Sequence, residues 1–220
     1  MPQRPPDVTP RIVQGDLPDD LLATYLASKQ VAIDTETLGL QTLRDRLCLV
    51  QLCDRGGHGA IVQITRDRLT PGGSGPCRTP NLKRLLEDPA VLKIFHFARF
   101  DVAAMSHWLG IRVAPLYCTR TASKLCRTYT DRHGLKDNVL ELLDIEMDKQ
   151  ARHTDWSAVT LSEEQVRYAI SDVTMLHALM DKLQFMLERD GRAELARRCF
   201  EAIPVHSDLD IAGFNLLFEH

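Results

Sequence analysis

Val31-Ala32-Ile33-Asp34-Thr35-Glu36-Thr37 is an apolar run that ends in two carboxylates spaced i and i+2. As a β-strand it turns alternate side chains to one face, so Asp34 and Glu36 point the same way with Ala32 behind them. Two carboxylates side by side repel unless a cation sits between them, and Mg²⁺ and Mn²⁺ take oxygen ligands of this kind. A strand end with two solvated acids fits the same residues, so the rest of the chain has to decide.

Upstream, residues 11–14 read as a short edge strand and 19–29 as a helix with Leu21, Leu22, Tyr25 and Leu26 on its apolar side. Downstream, Gly39 breaks the acidic strand. Residues 47–53 form a continuous apolar run of strand length, which suits a strand covered on both faces. A turn at Asp54-Arg55-Gly56-Gly57 joins it in a hairpin to a strand at 60–64. The Pro-Gly-Gly-Ser-Gly-Pro stretch at 71–76 is a flexible loop. Then come a helix at 81–87, a strand at 91–95, a helix at 98–109 ended by Gly110, a short strand at 116–119 and a helix at 120–129. His133-Gly134-Leu135 turns into a helix running to about residue 143.

Thr160-Leu161-Ser162-Glu163 has the form of a capping box and opens one long helix whose stripe, from Val166 to Leu183, carries it to about Arg189. A last helix covers 191–202 and Pro204 stops it. A hairpin followed by alternating strands and helices implies an α/β domain with a mixed central sheet flanked by helices. We take 1–10 as a flexible lead, 11–203 as one domain and 204–220 as a tail whose apolar residues, Ile211, Phe214, Leu216, Leu217 and Phe218, suit either an oligomer contact or packing on their own domain.

Composition sets bounds on the function. The 220 residues suffice for one good-sized domain, and 44% hydrophobic with 26% charged content is ordinary for a globular protein. No apolar run reaches membrane-spanning length and the first residues lack the apolar centre of a signal peptide, so we expect a cytoplasmic protein with no membrane partner. Cys48, Cys53, Cys77, Cys118, Cys126 and Cys199 form no CxxC pair and read as reduced structural thiols. A net charge of −3 and a pI near 6.2 argue against binding long nucleic acid through backbone charge alone, but leave room for a short anionic substrate.

Two further acids and a tyrosine bear on the first stretch. Asp101 follows a strand closely, in the first turn of a helix and bordering its apolar side. The helix dipole favours an acid there by about 0.3–1 kcal/mol. Sites in α/β sheets also form at the carboxyl ends of strands. Tyr168 and Asp172 lie four apart and share a helix face. Alone, Asp172 reads as a rim acid pairing with Arg167 or Arg120. Together, Asp34, Glu36, Asp101 and Asp172 are enough to hold two divalent ions about 3.5–4 Å apart, the arrangement that serves an in-line displacement at phosphorus.

The motifs Asp34-Thr35-Glu36-Thr37, His96-Phe97-Ala98-Arg99-Phe100-Asp101 and Tyr168-Ala169-Ile170-Ser171-Asp172 resemble those of the DEDD 3′→5′ exonucleases, which have a ribonuclease H-like (DnaQ-like) fold. The tyrosine four before Asp172 is similar to the tyrosine subclass; the histidine subclass would place His where Arg167 stands. Within it the chain resembles the ribonuclease D branch without that branch's usual C-terminal helical domain, and most nearly the nano-RNase C family of alphaproteobacteria. Gln14 to Pro18, Asp34 to Gln51, Lys93 to Asp101, Thr128 to Lys136, Lys149-Gln150, Asp155-Trp156 and the tail from Cys199 carry this likeness. The loop from Thr70 to Cys77 is longer than the family leads one to expect.

The resemblance implies that Asp34, Glu36 and Asp172 bind a first Mg²⁺ or Mn²⁺, that Asp34 bridges to a second which Asp101 also holds, and that Tyr168 orients the attacking water. Thr35, Thr37, Leu38 and His96 are candidate substrate contacts, and Phe100 and Trp108 candidate walls against the bases. The basic cluster Arg120, Lys124, Arg127, Arg132, His133 and Lys136 reads as a solvated face or as phosphate contacts, with Arg127 or Arg132 on the terminal phosphate of a short substrate. The family implies very short RNA as substrate, down to dinucleotides, and a homo-octamer. A ribonuclease D-like processor of longer or structured RNA, a proofreading module acting in trans and a non-catalytic nucleic-acid-binding subunit are the alternatives. The last normally lacks one of the acids, and here all four and the tyrosine stand.

Overall fold

The computed structural model describes residues 5–147 and 154–218. Lys149 and Gln150, and part of the lead and of the tail, lie outside the described residues. Six strands form one mixed sheet in the order β1-β4-β3-β2-β5-β6. These are β1 (Arg11–Gln14), β2 (Gln30–Thr37), β3 (Leu47–Asp54), β4 (Gly59–Gln63), β5 (Leu92–Phe95) and β6 (Leu116–Cys118). β3 runs antiparallel to β2 and β4; β1 pairs with β4, β2 with β5, and β5 with β6 in parallel. Every residue of β3 is buried, Gln51 and Asp54 included, as a largely apolar run covered on both faces requires.

The helices are α1 (Asp19–Ser28), α2 (Pro80–Leu86), α3 (Ala98–Leu109), α4 (Thr119–Cys126), α5 (Leu135–Leu143), α6 (Glu163–Thr174), α7 (Leu176–Arg189) and α8 (Ala193–Ile211). The main core gathers Tyr25, Ile33, Val50, Leu52, Phe95, Met105, Leu109 and Leu183, among others, around the sheet. On the opposite side of β3 and β4 a smaller cluster, Cys48, Leu49, Ile61, Trp156 and Ala169, lies under α6. Lys93 is fully buried in β5, where its ammonium donates to the carbonyls of Asp88, Val91 and Ala114 at 2.6–2.9 Å. Burial holds its pKa down to about 8, and the three bonds tie the start of β5 to the loop that enters β6.

Three expectations need correction. The long helix of 160–189 is two helices, broken at Met175, whose N–H reaches the carbonyl of Val173. The Thr174 hydroxyl turns back to the Ser171 carbonyl at 3.2 Å there. α6 packs on β2, β3 and β4, while α7 packs on α4 and α5, so the two segments bury different faces and the apolar stripe runs on across the break. The capping box starts two residues later than read: the Ser162 side chain accepts from the Gln165 N–H, and Gln165 reaches back to the Ser162 N–H. Finally, Pro204 lies inside α8. An interior proline removes one helix hydrogen bond and strains the preceding turn. Tertiary contacts offset this: Ser207 donates to the Arg99 carbonyl, and the Arg99 guanidinium makes a two-pronged ion pair with Asp210. Residues 204–211 therefore dock on α3.

Candidate active site

The alternation of β2 sets Asp34 and Glu36 on the face that α6 covers, and α6 brings Asp172 down onto them. Carboxylate oxygens of Asp34, Glu36 and Asp172 lie within 4.8 Å of one another, close enough to ligate one divalent ion. Asp101 arrives separately, from the first turn of α3 after β5, buried, accepting a 2.6 Å bond from the Thr35 hydroxyl. Tyr168 stands one turn before Asp172, its ring 5.9 Å from that of buried Trp156. β2 shifts register against β3 between Glu36 and Thr37, so the chain leaves the sheet beside the acids.

The electrostatics fit a cation. Burial, and then Asp101, Asp172 and Glu36, push the Asp34 carboxyl well above the usual carboxylate range. Burial, Asp172 and Asp101 bring Glu36 up to about 8. Burial raises Asp101 to about 7, although its bond from Thr35 pulls the other way. Like charges so placed cannot all ionise without a compensating positive charge, and an oxygen donor set of this kind suits Mg²⁺ or Mn²⁺.

The remaining candidates divide. Thr35 is turned to Asp101, and the Thr37 hydroxyl is spent on the Gly39 carbonyl. Leu38 is 48% exposed beside the acids, in a loop closed by its N–H to the Arg46 carbonyl. In that loop a Cβ at Gly39 would lie 2.3 Å from the Asp45 carboxylate, so only glycine fits. Phe100 is half-buried in the first turn of α3. Trp108 is a correction: it is buried, and its indole N–H donates to the Thr42 carbonyl at 2.9 Å. It holds the Leu38 loop instead of forming a wall against bases.

His96 directly follows β5, and Phe97 then turns into α3 with φ of 74°, a left-handed conformation strained for a side chain this large. Thr119 donates to the Phe95 carbonyl, so its hydroxyl oxygen accepts from His96 Nδ1 at 2.8 Å. Nε2 is then a buried acceptor without a partner among the described residues. Burial and the Arg120 guanidinium hold the ring down to about 4, so His96 meets neutral pH as an acceptor and not a cation.

Arg127 is the second correction. It is fully buried and donates to Ser123, the Arg132 carbonyl, Asn138 and Glu141, which leaves it no role on a phosphate. We expect Arg127→Ala to lower thermal stability by about 2–5 kcal/mol, because it strands several of these acceptors, and Arg127→Lys to rescue little. Unchanged melting with weakened substrate binding would refute this. Arg132 keeps an exposed guanidinium, 3.7 Å from Asp137. His133 shares a 2.9 Å bond with Ser123 and helps line a concavity of about 490 Å³ with Arg120, Lys124, Thr128, Thr130 and Asp131. Arg120 also sits 4.5 Å over the Phe97 ring. Trp156 and Thr119 were not picked out as site-shaping from sequence. Trp156, an apolar ring in a polar loop shortly ahead of the Ser162 capping box, was the available signal; Thr119 offered none.

Residues 11–188 match the 3′-5′ exonuclease family model. Brucella melitensis NrnC bound to pGG is 46% identical, with a TM-score of 0.84 over 94% of this chain and 95% of that one. The same organism's NrnC with bound Mg²⁺ is 44% identical, with a TM-score of 0.84 over 94% and 96%. Ribonuclease D of Gluconacetobacter diazotrophicus is 38% identical over 164 residues, 74% of this chain and 39% of the relative. The chain thus spans about two fifths of that curated relative's length. Its mixed sheet and flanking helices are the α/β, DnaQ-like architecture of these exonucleases. The chain belongs to the 3′-5′ exonuclease family.

Proposed function

We propose that the protein is a metal-dependent 3′→5′ exoribonuclease that cuts oligoribonucleotides of two to a few residues into nucleoside 5′-monophosphates. The convergence of Asp34, Glu36 and Asp172, with Asp101 beside them, carries this reading. The structures of Brucella melitensis NrnC bound to pGG and with bound Mg²⁺ support it. Two divalent ions, when bound, supply the charge that activates water and steadies the leaving oxygen. Asp34, Glu36 and Asp172 would hold one, Asp34 and Asp101 the other. Tyr168, its ring fixed against Trp156, orients the attacking water by hydrogen bond. The concavity of Arg120, Lys124 and His133, with exposed Arg132, receives phosphate. Neutral His96 is suited to accept from a sugar hydroxyl.

The protein acts in the cytoplasm, without a membrane partner; no helix among the described residues is long and apolar enough to cross a membrane. A homo-octamer would cover Phe214, Leu216, Leu217 and Phe218, each 59–71% exposed after α8. Likeness to ribonuclease D favours a second reading, trimming of longer or structured RNA.

The test is Mn²⁺- or Mg²⁺-dependent cleavage of 5′-labelled RNAs from a dinucleotide upward, beside Asp172→Ala, with the solution mass read against the 24.9 kDa chain. Fast dinucleotide cleavage with slow longer substrates is expected. Even shortening of every length would favour the second reading, and cleavage surviving in Asp172→Ala would overturn both.

A further inference from the structure

Gln51 lies in the middle of β3, fully buried, and neither its amide oxygen nor its amide nitrogen has a partner among the described residues. Leaving a buried polar atom unpaired costs about 1–3 kcal/mol, so an amide with both ends orphaned calls for an explanation. Its place in the sheet supplies one. Gln51 pairs directly across the antiparallel ladder with Asp34. Residues opposite each other in such a ladder share a face, with Cβ atoms about 4.5–5.5 Å apart. On its other side it is opposite Ile61, which belongs with Leu49 and Ala169 to the apolar cluster under α6. Along β3 the chemistry differs. Gln63, opposite Leu49 on this same face, bonds its amide to Gln14 and to the Ala158 carbonyl. The fold therefore satisfies a buried amide away from the acids and leaves unpaired the one beside them.

We infer that Gln51 is a positioning residue for Asp34: opposite it in the ladder, its amide N–H is placed to hydrogen-bond the Asp34 carboxylate when that carboxylate ligates a divalent cation. Asp34 would then be oriented toward the cations by its bond from Gln51. Carboxylate ligands that bridge need such an orienting partner, and removing a partner of this kind commonly lowers metal affinity by about 10–100-fold. Gln51 does not touch substrate. The inference rests on the metal-dependent reading given above.

Gln51→Met keeps the length and flexibility of the side chain and removes both polar atoms. Mn²⁺ titration by calorimetry and thermal melting in chelator are compared with the unsubstituted protein. We expect Mn²⁺ affinity to fall about tenfold or more, with melting in chelator unchanged or raised because two orphaned atoms are gone. A merely structural glutamine gives the opposite pattern, a lower melting temperature in chelator with Mn²⁺ affinity within twofold, and overturns the inference. Gln51→Leu serves if the methionine variant does not fold. Failure of both to fold in chelator would show that the fold itself needs the amide, and would also overturn it. Absence of Mn²⁺ binding in the unsubstituted protein would overturn the metal-dependent reading itself.

Discussion

Asp34→Asn is expected to lower the cleavage rate by on the order of a thousandfold, with the fold intact. Asn has the shape of Asp and lacks its charge. Asp34 is the acid on which the site converges: its carboxyl is raised by burial and then by each of Asp101, Asp172 and Glu36, so all three stand within electrostatic reach of it. It would also bridge both ions. Metal-assisted charge stabilisation is worth several kcal/mol, and each ~1.36 kcal/mol is a factor of ten in rate. Loss of the shared ligand therefore removes about three powers of ten. Tyr168→Phe is a useful contrast. It keeps the ring against Trp156 and removes only the hydroxyl, so the expected loss is smaller. The measurement is kcat on a dinucleotide at saturating Mn²⁺, with circular dichroism to confirm folding. More than a tenth of the activity left in Asp34→Asn would refute the bridging role.

Much of this site was legible because it rests on short-range periodicity. A period of two puts Asp34 and Glu36 on one face whatever surrounds them, and a spacing of four does the same for Tyr168 and Asp172. The hairpin of β3 and β4 follows from a short polar turn between two apolar runs. What stayed hidden depends on distant partners. Arg127 belongs to a basic run, and such runs are usually solvated. Its burial is decided by Ser123, Asn138 and Glu141, which consume its donors. Trp108 follows helix spacing as a wall residue would, and only the approach of Thr42 from another loop shows its role. The break at Met175 was masked because two helices burying different surfaces still leave one continuous stripe. Pro204 gave a correct local signal that packing of Ser207 and Asp210 against Arg99 outweighs. Gln51 was visible as a polar residue inside the run of 47–53, but a run covered on both faces does not say which face a given residue occupies.

Melting temperature should fall with rising pH in chelator and stay nearly level in saturating Mg²⁺. In chelator, Glu36 titrates near 8 and Asp101 near 7 in the folded protein, with Asp34 also raised. In the unfolded chain such acids titrate at about 4. Between these limits the folded state binds more protons than the unfolded state. Stability must then fall as pH rises through the folded values. Buried histidines work in the other direction, but lower down. His96 is held to about 4 and is unprotonated when folded, so it adds stability as pH rises to its unfolded value of about 6.5, and little beyond. From pH 6.5 to 8 the acids therefore dominate, with Lys93, held down to about 8, opposing them only near the top of that interval. In Mg²⁺ the ion displaces their protons, so the folded and unfolded chains then carry nearly equal numbers of protons on these acids; tighter binding at higher pH offsets the loss seen in chelator, and stability stays nearly level. At a concentration of 100 times Kd, binding contributes about 2.7 kcal/mol, or roughly 5–10 °C for a domain of this size. Asp34→Asn removes one of the repelling charges and should melt higher than the unsubstituted protein in chelator at pH 8, while gaining little from Mg²⁺. Parallel slopes in chelator and Mg²⁺ would mean that the four acids do not form one cation site. A variant that melts lower in chelator would mean that Asp34 supports the fold instead of straining it.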